Sequence, residues 1–200
     1  WEQRYRSGDY SPREYPSPLL LENIDWLPDG RALDLATGHG RNALFLAEQG
    51  YDVQAIDVAP AALQVAKRRA DDRDVSVEWI TADIDEFDLP ANSYDVITLS
   101  YYYNFNKLPE IKEALAPGGV LLHEHHLQST DPVDRGPSGD RYRMRSNDLL
   151  RSCSDLTVLR YEEATREVND SSGAVVSLVA RNTTGGKQSY PPSGRNLGGN

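Results

Sequence analysis

At 200 residues the chain has the size of one α/β domain, enough for a sheet covered on both faces. A net charge of −10 argues against nucleic acid or an anionic membrane as partner, because both repel a generally negative surface. The single cysteine, Cys153, excludes an internal disulfide and a thiolate metal cluster, and with no histidine or asparagine motif beside it reads as a small buried side chain.

In chain order, residues 1–16 are aromatic and charged without a clear period. Ser17 and Pro18 read as a helix N-cap and first turn, with Leu19, Leu20, Leu21, Ile24 and Leu27 as the apolar side of that helix. A regular alternation follows: strand 31–36, helix 41–49 stopped by Gly50, strand 52–57, helix 60–70 and strand 75–80. Strand 94–100, helix 107–115 and strand 119–126 come next, with Pro117, Gly118 and Gly119 as the turn between the last two. Such an alternation implies right-handed crossovers and ligands at the carboxyl ends of the strands.

Residues 128–145 are polar, with proline, glycine and alternating charge, so they read as a long loop. A short helix from Asn147, capped by Ser146, precedes a strand beginning near Leu156. Residues 169–173 form a turn, and residues 174–180 run back as the second arm of a hairpin. Residues 183–200, rich in Gly, Ser, Pro and Asn, are expected to be a disordered tail.

The organising stretch is 31–70. An apolar run ends in a loop with Gly38 and Gly40, a helix follows, and a second apolar run ends at Asp57: a βαβ unit with a nucleotide-shaped opening at its mouth. Two glycines let the backbone turn and approach a ligand, and a carboxylate at Asp57 suits the two hydroxyls of a ribose. An adenosine compound is therefore expected. Residues 38–43, Gly-His-Gly-Arg-Asn-Ala, also fit the loose dinucleotide pattern, so a NAD-dependent Rossmann oxidoreductase stands as one alternative. Asp34 inside the first strand, Asp83 closing the third, and the Pro-Gly-Gly turn disfavour it.

Taken together, Asp34, Gly38, Gly40, Asp57, Asp83 and the later strands resemble the class I S-adenosylmethionine (SAM) dependent methyltransferases over residues 1–182. The run from Gly40 to Ala47, the opening Trp-Glu-Gln-Arg-Tyr and residues 141–150 are similar to the small tellurite-resistance-type, or TehB-like, branch. The resemblance implies a doubly wound, Rossmann-like seven-stranded sheet of order 3-2-1-4-5-7-6 with strand 7 antiparallel. It implies one SAM-binding domain over 1–182 whose N-terminal segment, 1–28, acts as a lid, placing Trp1, Arg4 and Tyr5 near the methionyl end or the acceptor; the equal alternative is that these aromatics only pack the first helix on the sheet. Cofactor contacts are expected from Asp34, Gly38, Gly40, Arg41, Asp57, Val58, Asp83, Ile84 and Ser100. Arg41 either pairs with the methionyl carboxylate or covers the helix surface.

The acceptor side rests on fewer residues. His123, Glu124, His125 and His126 end the fifth strand; strand alternation puts His123 and His125 on one face without a third ligand, so no metal is expected. His125 or His126 is either a candidate polar wall or base or a histidine satisfied at the strand end, and Tyr101 and Tyr102, opening the aromatic run 101–106, are candidate walls beside a sulfonium. That run departs from the signature of amide and adenine N-methyltransferases, which lowers a nucleic-acid base or a protein glutamine as acceptor. In the resembled branch the 128–145 segment closes over the acceptor, where Arg143 or Arg145 would meet an anion; by composition alone it is a solvated loop, four arginines against three aspartates.

A methyltransferase acting on a small molecule is thus the expected function, with a non-catalytic SAM-binding protein as a further alternative. No stretch is apolar over a membrane-spanning length and no signal peptide pattern is present, so a cytoplasmic monomer or homodimer is expected. Only Lys67, Lys107, Lys112 and Lys187 among the 21 basic residues are lysines, a balance that resembles proteins of salt-loving archaea.

Overall fold

The computed structural model describes residues 14–168, 171–183 and 188–191. The described elements, in order, are α1 (Pro18–Leu21), a 3-10 turn (Ile24–Trp26), β1 (Arg31–Leu35), α2 (Arg41–Glu48), β2 (Asp52–Asp57), α3 (Pro60–Asp72) and β3 (Glu78–Thr81). They continue with β4 (Tyr94–Ser100), α4 (Leu108–Ala114), β5 (Leu115–His126), a 3-10 turn (Asp140–Tyr142), α5 (Asp148–Ser152), β6 (Thr157–Val168) and β7 (Ser171–Arg181). The seven strands form one sheet in the order β3-β2-β1-β4-β5-β7-β6, parallel from β3 to β5, with β7 antiparallel to both its neighbours. The expected doubly wound sheet is present in every pairing.

Strand alternation divides the core into two apolar layers. Leu33, Leu35, Ile97, Leu99 and Leu121 face Ile111 of α4 and Leu149 of α5. Ala32, Val96, Val120, Leu122 and Val179 face Leu20 of α1 and Ala43 and Leu46 of α2. The same parity places Asp34 and Glu124 on the α2 side and His123 and His125 on the α4 side, which decides what each can touch.

Four expected elements differ locally. Ser17 does cap α1, its hydroxyl accepting from the Leu20 amide at 3.2 Å, but the helix ends at Leu21 and a separate 3-10 turn follows, so the single amphipathic helix to Leu27 is replaced by two short pieces. The Pro-Gly-Gly segment is not a helix-to-strand turn. The chain passes from α4 directly into β5, and residues 116–119 bulge between the pairs Tyr94↔Leu115 and Val96↔Val120. Asn182 secures that bulge, donating through Nδ2 to the Leu115 and Ala116 carbonyls and exchanging backbone bonds with Gly118 and Gly119. A Cβ at Gly119 would lie 2.8 Å from the Tyr94 carbonyl oxygen, so the close approach requires glycine. Ser146 does not cap α5: left-handed Asn147 holds that position, and the Ser146 hydroxyl donates to Glu163 at 2.6 Å. Strand β7 begins at Ser171, so Ser171, Ser172 and Gly173 are ladder residues and not turn residues. The first thirteen residues, Trp1, Arg4 and Tyr5 among them, the hairpin tip at 169–170 and most of the tail lie outside the described residues.

Candidate functional site

The carboxyl ends of β1, β2 and β4 surround a cavity of about 370 Å³, within the range that holds a nucleotide-sized ligand. Its floor is the β1–α2 loop. Asp34 is 2% exposed and its carboxylate accepts from the Thr37 hydroxyl (2.5 Å), the Thr98 hydroxyl (2.6 Å) and the Ala43 amide (3.2 Å). Burial raises its pKa against the lowering effect of those donors. Asp34 reaches the cavity wall, yet its bonds brace the loop. The loop leaves β1 through Ala36 with φ +53°, a left-handed conformation in a residue with a Cβ, followed by Gly38 and Gly40 in the same region. Gly40 is required by packing as well, since a Cβ there would meet the Trp79 ring at 2.7 Å.

Asp57 ends β2 and is 6% exposed. Its Oδ2 accepts from the Gly38 amide at 2.7 Å and its Oδ1 from the Ala59 amide at 2.9 Å, so the carboxylate ties the two loop mouths together. Desolvation raises its pKa while these amides pull it down. Each oxygen keeps a second lone pair for a ligand hydroxyl. Val58, 53% exposed, and buried Ile84 line the same cavity, as a flat base would require. Asp83 is exposed, and one of its oxygens accepts from the Asp85 amide at 3.0 Å, fixing the β3 loop.

At the other end stand Arg41, Asn42 and Ser100. Asn42 is a residue that sequence reasoning missed: it is 2% exposed, accepts from the Ser17 amide at 2.8 Å and donates to Ser100 at 3.3 Å, tying α1 to the mouth of β4. Arg41 donates to Glu124 at 3.2 Å. Glu124 was read only as one of the residues excluding a metal set; its pairing depends on β5 lying across the sheet from α2, which no local pattern reveals. Thr98 and Asp85 were missed for the same reason, their partners Asp34 and Tyr102 lying 64 and 17 residues away; Thr37, three residues from Asp34, was missed although its bond is local.

The aromatic and basic candidates divide. Tyr101 and Tyr102 line the cavity, Tyr101 with a left-handed φ of +60° and its ring 4.6 Å from that of His126, and Tyr102 with its hydroxyl bonded to Asp85 across the mouth. Burial, then the Asp85 contact, holds the Tyr102 phenol above its ordinary pKa. His125, His126, Arg143 and Arg145 are not in the cavity wall. His125 Nε2 bonds to the Tyr142 carbonyl at 3.1 Å and its ring packs on Tyr103, while His123 Nε2 bonds to the Tyr102 carbonyl at 3.2 Å. Burial lowers both histidines, His123 to about 3 and His125 to about 4, so both are neutral at physiological pH. Arg143 donates to the carbonyls of Leu127 (3.0 Å), Arg135 (3.0 Å) and Pro137 (3.1 Å): it folds the 128–143 loop onto the end of β5. The expected meeting of Arg143 with an anionic substrate is thereby replaced by a structural role, because its fork is already given to backbone. Arg145 is exposed away from the cavity.

The wall fits a cationic adenosyl ligand. Asp34, Asp57, Asp83 and Asp85 face it, whereas Arg41 is the one lysine or arginine among its lining residues. A sulfonium with an ammonium and a carboxylate carries one net positive charge and suits that field; two phosphates do not. Among the described residues no helix is long and apolar enough to cross a membrane.

Comparison with known proteins agrees with this geometry. Residues 32–119 match the family described as "Methyltransferase domain". The chain is 36% identical over 121 residues to demethylmenaquinone methyltransferase of Thermus thermophilus, covering 57% of this chain and 53% of that one. It is 30% identical over 177 residues to hemagglutinin 1 of Eikenella corrodens, covering 80% and 55% respectively. The chain thus spans about half the length of these curated relatives. TehB from Haemophilus influenzae superposes with a TM-score of 0.73 at 21% identity, covering 91% of this chain and 67% of that one. Residues 32–119 thus match a methyltransferase-domain family, and the chain around them has the fold of TehB.

Proposed function

We propose that the protein transfers a methyl group from SAM to a small-molecule acceptor at the β4 end of the cavity. The observation that carries this reading is the cavity itself: four aspartates and one arginine around a nucleotide-sized space, at the strand ends where the methyltransferase domain lies. Bound SAM supplies an electrophilic methyl on a sulfonium. The chain's own work is then to fix adenosine through Asp57, Asp83, Val58 and Ile84, to hold the amino-acid end near Arg41 and Asn42, and to exclude water with Tyr101 and Tyr102. Electron-rich rings beside a sulfonium add cation–π attraction. A base is needed only for an acceptor that arrives protonated, and buried His123 and His125 stand outside the wall.

A small acceptor, not a nucleic acid, is supported by the net charge of −10. Its chemical class is tested by a labelled-methyl screen over thiols, chalcogen oxyanions, small amines and quinols. Calorimetry tests the cofactor: SAM should bind and NAD should not, and the reverse result would sink the reading. The acidic, lysine-poor composition supports a salt-rich cytoplasm, in which melting temperature rises from dilute buffer into molar salt; a flat curve would leave an ordinary acidic protein.

A further inference from the structure

Glu124 is a carboxylate in the middle of the sheet. It lies in β5 opposite Ser100 of β4 and Ser177 of β7, its side chain is 3% exposed, and it is not itself in the cavity wall. Among the described residues its ion pair at contact distance is with Arg41, which is in the wall and whose side chain is 14% exposed, while Arg166 interacts with it from farther off. On its other side Ser177 is occupied by Arg166, which donates to that hydroxyl at 2.9 Å. Burying a charge pair contributes little net stability, and a well-packed apolar residue at the same place often does better. Stability alone therefore does not account for a carboxylate here.

The position of Arg41 does. A guanidinium carries five N–H donors on a flexible stem, and ordering it when a ligand arrives costs side-chain entropy. A fixed acceptor behind it orders the fork in advance and leaves the remaining donors for the cavity. We infer that Glu124 is a positioning residue that holds the Arg41 guanidinium in the wall as a receptor for a carboxylate, so that the site selects adenosyl ligands carrying an amino-acid carboxylate over those without one. This rests on the proposed reading of the cavity as an adenosyl site.

The test compares two ligands by calorimetry: S-adenosylhomocysteine, which carries the carboxylate, and 5′-methylthioadenosine, which shares the adenosine and sulfur but lacks it. Glu124→Leu removes the anchor and leaves the Arg41 guanidinium without its carboxylate, so folding is checked first; it should weaken the first ligand about tenfold and leave the second unchanged. Glu124→Gln, which keeps an acceptor oxygen, should recover most of the loss. Equal weakening of both ligands would mean that Glu124 only supports the fold, and an unchanged affinity ratio in a folded Glu124→Leu variant would equally overturn the inference. Should Glu124→Leu fail to fold, Arg41→Ala carries the test: its affinity ratio must fall toward one, and a ratio like that of the unsubstituted protein overturns the proposal. If the unsubstituted protein binds neither ligand, the adenosyl reading itself fails, an outcome distinct from all of these.

Discussion

The two sides of the cavity are built by different means. On the β1–β2 side the working groups are a backbone amide and carboxylates, each fixed by short-range bonds: Gly38 N–H to Asp57, Ala59 N–H to Asp57, and Thr37 and Ala43 to Asp34. On the β4–β5 side the wall carries the rings of Tyr101 and Tyr102; outside it His126 packs on Tyr101, His125 packs on Tyr103, and Arg143 holds the 128–143 loop. The first side fixes polar atoms before any ligand arrives, which serves affinity for one cofactor. The second presents ring surfaces, which in the proposed reaction would serve the exclusion of water. Their ionisable groups shift oppositely as well: burial raises Asp34 and Asp57 and lowers His123 and His125.

This contrast can be broken at either side. Arg143→Ala removes three hydrogen bonds to loop carbonyls and should destabilise the protein by roughly 2–4 kcal/mol, with faster amide exchange across 128–143. Cofactor affinity should stay within about twofold, since the side chain does not reach the cavity; a collapse of SAM binding would show that the two sides are not separable. Next in size is Asp57→Ala, expected to weaken SAM by roughly 1.5–3 kcal/mol, because it deprives ligand hydroxyls of their acceptor and strands two loop amides. Calorimetry on a folded variant with unaltered affinity would remove the cradle from the binding site.

Acid sharpens the comparison. Histidines whose folded pKa is depressed contribute stability that is whole above their unfolded value of about 6.5 and is lost as pH falls toward the folded value. For His125, with a folded value of about 4, the loss between pH 7.5 and 5 should be about 2 kcal/mol. The raised carboxylates act with the other sign: their penalty is present at neutral pH and fades as pH falls toward the unfolded carboxylate value. Unfolding of His125→Gln at pH 7.5 and pH 5 isolates the histidine term, and a variant as acid-sensitive as the unsubstituted protein would place that sensitivity elsewhere. The smallest effect is expected from Tyr102→Phe, which loses only the bond to Asp85 across the mouth. SAM should dissociate about threefold faster, a change of under about 1 kcal/mol; stopped-flow rates identical to those of the unsubstituted protein would mean that the contact does not latch the site.

Much of the cradle was legible because it is local. Asp34, Gly38 and Gly40 sit within seven residues, and each constrains its neighbours through backbone conformation that residue type reveals. Asp57, Val58, Asp83, Ile84 and Ser100 follow from placing strand ends, and all line the cavity. Errors cluster where one residue's role depends on a distant partner. Composition reads the Arg143 segment as a solvated loop and the resemblance puts Arg143 or Arg145 at an anion; neither reveals the carbonyls of Leu127, Arg135 and Pro137 that take up the Arg143 fork. The end of β5 is readable, but the segment packed over it is not, so the sequence leaves open whether His125 or His126 reaches an acceptor or is satisfied at the strand end; the Tyr142 carbonyl that His125 bonds lies 17 residues on.

The sequence by itself determined the order of strands and helices and the place of the cofactor mouth, because apolar periodicity of 2 or 3.6 residues and glycine at left-handed positions are properties of short segments. Tertiary structure alone decided which buried polar groups meet: Arg41 with Glu124, Asn42 with Ser17 and Ser100, Asn182 with the β5 bulge. Those partners stand 83, 25, 58 and 67 positions apart. A buried donor must find some acceptor, but which one it finds is set by the sheet that brings the two together.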